Sequence, residues 1–93
     1  MIRILKESDR AVALEFLDRE HESNLIMIFD IQHYGIENRG QLFQGDYYGA
    51  YLDDELAGVA CLYNFGSMFL YCPVGELRRE LTAHIAERGG KPR

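Results

Sequence analysis

Three short apolar runs lie between Asp46 and Pro73: Tyr47 to Leu52, Leu56 to Tyr63 and Met68 to Cys72. They are split by Asp53-Asp54-Glu55 and by Asn64-Phe65-Gly66-Ser67. Runs of this length between Asp, Asn, Gly and Pro predict three strands of an antiparallel meander. Both alternating sets of the first run are apolar or small: Tyr47, Gly49 and Tyr51 on one side, Tyr48, Ala50 and Leu52 on the other. A sheet with one wet face alternates more cleanly, so helices are expected on both faces.

The flanking segments supply those helices. Ile2-Arg3-Ile4-Leu5 is short and β-prone and predicts a first strand over 2–6. Ser8 stands where an N-cap belongs, and Val12/Phe16 and Ala13/Leu17 share i, i+4 spacing, which predicts a helix over 9–19. Ser23 or Asn24 opens a second helix over 24–34, and Gly35 ends it. In that helix Leu25, Ile28, Phe29 and Gln32 share a side, which Ile26, Met27 and Ile31 widen. A helix apolar around most of its circumference is expected to lie between the sheet and a further surface. Leu77, Leu81 and Ile85 predict a third helix over 76–88, stopped by Gly89-Gly90, with Lys91-Pro92-Arg93 reading as the start of a linker. The expectation is a single α+β domain over 1–93, in the order β-α-α-β-β-β-α, with later strands near 46–52, 56–63 and 68–72.

Composition narrows the functional classes. Lys and Arg number 10 against 15 Asp and Glu, a net charge of -5, which argues against nucleic acid as partner. Arg78, Arg79 and Arg88 interleave with Glu76, Glu80 and Glu87 and read as a solvated helix face. No apolar run approaches the ~20 residues of a membrane span, and MIRILKESDR lacks the long apolar stretch of a secretory signal. The cytoplasm is the expected compartment. With a turn centred on Phe65-Gly66, Val59 faces Cys72 and Cys61 is the diagonal neighbour, about 7–8 Å away. That distance exceeds a disulfide's span, so two buried reduced thiols are expected.

Familiar catalytic constellations are missing from the sequence. His21-Glu22 lacks the second His that a zinc protease helix needs, since position 25 is Leu, and His21, His33 and His84 are scattered, so no metal is expected. There is no Gly-x-Ser-x-Gly elbow and no P-loop. A Cys–His pair would have to join Cys61 or Cys72 to His33 or His84 through the fold. Asp30 interrupts the apolar part of the second helix, either as a satisfied carboxylate or as a ligand-facing group.

A strand, two helices, a three-strand meander and a helix resemble the first half of the GNAT-type acetyltransferase fold. Asn24-Leu25 through Asp30-Ile31 to Tyr34-Gly35, followed by GAYLDDELAGVA, is similar to the helix and strand–turn–strand of the N-terminal part of certain GNAT proteins. The resemblance implies an acyl-CoA-dependent N-acetyltransferase, with acetyl-CoA as co-substrate and this chain on the acceptor-substrate side. It implies acceptor contacts from Asn24, Asp30, Tyr34, Tyr63 and Asn64, and leaves the catalytic and cofactor-binding residues unassigned. The chain departs from the family at the cofactor loop. GNAT enzymes hold the pyrophosphate on backbone N–H groups of a basic, glycine-rich loop leading into a helix. The junction here, Cys72-Pro73-Val74-Gly75-Glu76, has one glycine, no basic residue before the helix, and a carboxylate where phosphate would sit. The expected CoA site therefore lies in a missing C-terminal half, which would be the principal partner. A non-catalytic interaction or dimerisation module remains the alternative. Either way a homodimer is expected, through the edge at Met68 to Cys72 or through the apolar second helix.

Overall fold

In a computed structural model, which describes residues 1–89, the chain is an α+β domain. Four antiparallel strands stand in the order β1-β2-β3-β4: β1 (Ile2–Ile4), β2 (Gly45–Leu52), β3 (Glu55–Tyr63) and β4 (Met68–Tyr71). Three helices, α1 (Arg10–Leu17), α2 (Leu25–Tyr34) and α3 (Gly75–Gly89), complete it. None of the described helices is long and apolar enough to cross a membrane. The Lys91-Pro92-Arg93 segment read as a linker lies outside the described residues, as does Gly90.

Both faces of the sheet are covered. Phe16 and Leu17 of α1 and Ile28 and Ile31 of α2 pack with Tyr47, Val59, Cys61 and Tyr63 in one core. Leu77, Leu81 and Ile85 of α3 pack with Tyr48, Ala50, Ala60 and Cys72 in the other. Burying the apolar rows on either side contributes about 25 cal/mol per Å², which is why neither row of the strands is polar.

The turns set the register. Asp53 and Asp54 both take positive φ, 51° and 67°, the two-residue hairpin geometry whose twist matches the strands. Asp tolerates that region better than most side chains. Behind the turn Ala50 faces Gly58 but Tyr51 faces Leu56, so Ala57 is the extra residue of a bulge. At the next hairpin the Tyr63 N–H meets the Ser67 carbonyl at 2.9 Å and the Gly66 N–H meets the Tyr63 carbonyl at 2.9 Å. With Gly66 at φ 106°, the loop is Asn64-Phe65-Gly66, three residues rather than two. Val59 therefore faces Tyr71, not Cys72, and Cys61 faces Phe69. A slip of one residue moves a side chain to the other face. Cys61 and Cys72 accordingly sit in different cores, both as buried free thiols.

Helix ends differ from the sequence pattern because side chains are drawn into tertiary contacts. Ser8 lies inside a 3-10 turn, Glu7–Asp9, ahead of α1, and the Asp9 carboxylate accepts the Lys6 N–H at 2.8 Å. β1 ends at Ile4, short of residue 6, and α1 ends at Leu17, where a second 3-10 turn, Asp18–Glu20, takes over. Asn24 occupies the N-cap position of α2 without capping it. Its amide instead donates to the Leu17 carbonyl at 2.9 Å, tying the end of α1 to the start of α2. Gly35 ends α2 at φ 86°, its N–H on the Ile31 carbonyl at 3.0 Å. Along α2 only Met27, Ile28, Asp30 and Ile31 are buried, whereas Leu25 and Phe29, placed by spacing beside Ile28, face outward with Ile26.

Candidate functional site

The polar groups that the fold brings together gather where β1 ends, β2 begins and β3 ends. Two loops are stapled there. The Glu7 carboxylate accepts the N–H groups of Ile36 at 2.8 Å and Glu37 at 3.2 Å and the Arg10 Nε–H at 2.8 Å. Burial pushes this carboxyl up, but the two backbone donors and Arg10 outweigh it and hold the group below its ordinary range. The Glu37 carboxylate accepts the Glu7 N–H in return, at 2.8 Å. Gln44 pins the same loop: its amide donates to the Tyr34 carbonyl at 2.6 Å and its oxygen accepts the Arg39 N–H at 2.9 Å.

Between the stapled loops opens a cleft of about 490 Å³. Leu5, Ile36 and Tyr47 form its apolar floor, and Lys6, Glu37 and Asp46 stand around it. That size and lining suit a small ligand with one or two polar groups. The cleft connects to the β3–β4 turn through paired amides. Asn38 donates to Asp46 at 3.0 Å and to the Asn64 oxygen at 2.9 Å, while Asn64 donates to the Asn38 oxygen at 2.9 Å and to the Gln41 carbonyl at 2.6 Å.

Behind this surface lies a buried polar cluster. The hydroxyls of Tyr47 and Tyr63 are 3.3 Å apart, and Asp30 of α2 lies near enough to Tyr63 to act on it electrostatically. Asp30 is buried, at 8 % exposed. Burial pushes the Tyr47 and Tyr63 hydroxyls well above the ordinary phenol range, and it does the same to the neighbouring Cys61 thiol. All three groups are therefore neutral at physiological pH. A nucleophilic role for Cys61 would need the thiolate, which this site opposes.

The five expected acceptor contacts fall in three places. Asp30 and Tyr63 are both buried, close to one another. Tyr34 reaches Asn64's turn through ring contacts, to Phe43 at 5.8 Å and from Phe43 to Phe65 at 6.0 Å. Asn24 stands at the opposite end of α2, committed to Leu17. The spacing of residues did not single out Glu7, Asn38 or Asp46, whose partners lie far along the chain. No group of three or more His, Cys, Asp or Glu able to hold a metal ion occurs among the described residues.

At the β4–α3 junction the structure adds a basic group that the sequence pattern did not place there. Arg78, in the first turn of α3, folds back so that its Nε–H donates to the Cys72 carbonyl at 3.0 Å. It borders a shallow cavity of about 320 Å³ with Leu70, Tyr71, Cys72 and Pro73. Glu76 shares that first turn. No family model, no curated protein and no solved structure matches this chain. Geometry and residue chemistry alone carry what can be said of its role.

Proposed function

We propose that this chain forms the acceptor-substrate side of a GNAT-like, acetyl-CoA-dependent N-acetyltransferase, with the cofactor site supplied from outside the described residues. The observation that carries this reading is the open edge of β4. Among the described residues β4 pairs with β3 alone, while Phe69, Leu70 and Tyr71 extend both cores out to it. Another strand added there would continue both cores, as the fifth strand of a GNAT fold does. The element order, with α1 and α2 over one face and α3 over the other, is in keeping with that fold.

The junction before α3 does not fit a pyrophosphate. It offers one glycine, a carboxylate at Glu76, and an Arg78 guanidinium already engaged with Cys72. No step through acetyl-CoA is therefore assigned to this chain. On the acceptor side, Tyr34 is exposed and Asn64 is half-buried at the β3–β4 turn, and these two are the contacts expected to meet an amine.

Two measurements test the reading. The isolated chain is expected to show no thermal stabilisation by acetyl-CoA; a micromolar site at hundredfold excess would add ~2.7 kcal/mol and would overturn the placement of the cofactor. In the completed enzyme, Tyr34→Ala and Asn64→Ala are expected to raise the KM for the amine about fivefold or more, equivalent to about 1 kcal/mol of uniform binding, with the KM for acetyl-CoA unchanged. An unchanged amine KM in both variants would sink the acceptor assignment.

A further inference from the structure

The side of α2 turned away from the sheet is apolar, and it continues into the loops. Leu25, Ile26 and Phe29 are 53 %, 55 % and 49 % exposed, and Tyr34, Phe43 and Phe65 are 36 %, 48 % and 46 % exposed. Leu25, Phe29 and His33 recur at i, i+4 and make one ridge, with the Phe29 and His33 rings stacked at 3.9 Å. The ridge extends through Tyr34 to Phe43 and Phe65 by the ring contacts already described. From Leu25 to Tyr34 the helix alone covers about 13 Å. Large side chains of roughly 200 Å², about half exposed, make this strip on the order of 600 Å². Apolar patches on monomers seldom exceed that size, about 300–600 Å².

The geometry points to a second copy of this chain as the occupant, docked face to face through α2 about a two-fold axis. Two features favour a copy over another partner. The first is area: two such strips bury roughly 1,200 Å², the lower bound of a stable specific interface. The second is charge. The chain carries -5 overall, so two copies repel wherever carboxylates meet. Asp30, the only Asp, Glu, Lys or Arg between Leu25 and Tyr34, is buried, which leaves the ridge free of carboxylates. An anionic lipid surface or a nucleic acid would instead demand a basic face. A ridge of i, i+4 side chains also fits the groove of an identical helix, the commonest helix packing class. This contact is separate from the β4 edge, so a dimer through α2 leaves that edge free to accept a strand.

Sedimentation velocity on the chain from low to high micromolar concentration reads the association. A monomer–dimer equilibrium in the micromolar range is expected, weakened at least tenfold by Ile26→Asp or Phe29→Asp and unchanged by Met68→Lys on β4. Both α2 substitutions lie at exposed positions, so circular dichroism and Tm should match those of the parent chain. Single cysteines at Leu25, Ile26 and Phe29 give a positive readout, because a side chain near a two-fold axis meets its own copy. At least one of them is expected to form a disulfide-linked dimer on mild oxidation, while Thr82→Cys on α3 does not. A monomer throughout the concentration range would overturn the proposal. So would a dimer abolished by Met68→Lys and indifferent to the α2 variants, since that outcome places the contact on the strand edge.

Discussion

On the α1–α2 side of the sheet the inward positions include two large, polar-tipped rings, Tyr47 and Tyr63, whose hydroxyls meet each other. On the α3 side the strands present Ala50, Gly58 and Ala60, with the Tyr48 ring beside them edge-on to His84 and Cys72 just past the end of β4. The small residues let a single helix lie close, and its apolar stripe, Leu77, Leu81 and Ile85, needs no polar partner from the sheet. On the aromatic side two helices cover the sheet, and the buried Tyr47 and Tyr63 hydroxyls meet each other. One face is held by close approach of small residues and the other carries a buried hydroxyl pair. Different substitutions should therefore break each.

The largest effect is expected on the aromatic side at Gly45, where a Cβ would collide with the Leu62 carbonyl oxygen and lie 2.7 Å from the Tyr63 Cα. Backbone atoms in a paired strand cannot retreat, so Gly45→Ala should cost about 3 kcal/mol in chemical denaturation. On the α3 side a Cβ at Gly58 would lie 2.8 Å from the Cys72 Sγ. Gly58→Ala should cost less, about 1–2 kcal/mol, and adding Cys72→Ala should return part of it. Equal costs, or additivity in that double variant, would erase the contrast drawn between backbone and side-chain obstruction.

Tyr63→Phe tests the hydroxyl pair and should cost about 1–2 kcal/mol by leaving the buried Tyr47 hydroxyl without its partner. Tyr47→Phe in the same background should recover some of that loss, because removing both members of a buried pair is less costly than removing one. Full stability of Tyr63→Phe alone would mean that the hydroxyl pair is decoration.

The smallest effect is expected at acid pH. The Arg3 guanidinium and the Lys6 N–H hold the Asp9 carboxyl below its ordinary range, and Glu7 is held down at its staple. A carboxyl depressed in the folded state stabilises above its unfolded pKa, and that contribution is lost as pH falls through the folded value. Stability should therefore decline below about pH 4, and Asp9→Asn should flatten that decline. An unchanged acid limb in both Asp9→Asn and Glu7→Gln would assign it to other carboxylates.

Much of the architecture was legible in the residues. The acidic pair Asp53-Asp54, the glycines at 35 and 66, and the doubly apolar strands announced two hairpins, a helix end and a sheet covered on both faces. The candidate site was far less legible. Asp30 stood out as a polar residue in an apolar helix, but nothing local showed that it would be buried near Tyr63, 33 positions away in the sequence. The Glu7 staple closes on Ile36 and Glu37, and no local pattern marks a carboxylate that serves a loop so distant.

Which segments extend and which coil follows from the residues alone, because backbone preference and apolar period are local properties. Tertiary structure decided the register of β3 on β4, since strands apolar on both sides are nearly indifferent to a one-residue slip until the three-residue loop selects one. It also decided which side of α2 is buried. A helix apolar around most of its girth has no preferred face of its own, and only the shape of the sheet and α1 beneath it turned Ile28 and Ile31 inward and left Leu25, Ile26 and Phe29 facing out.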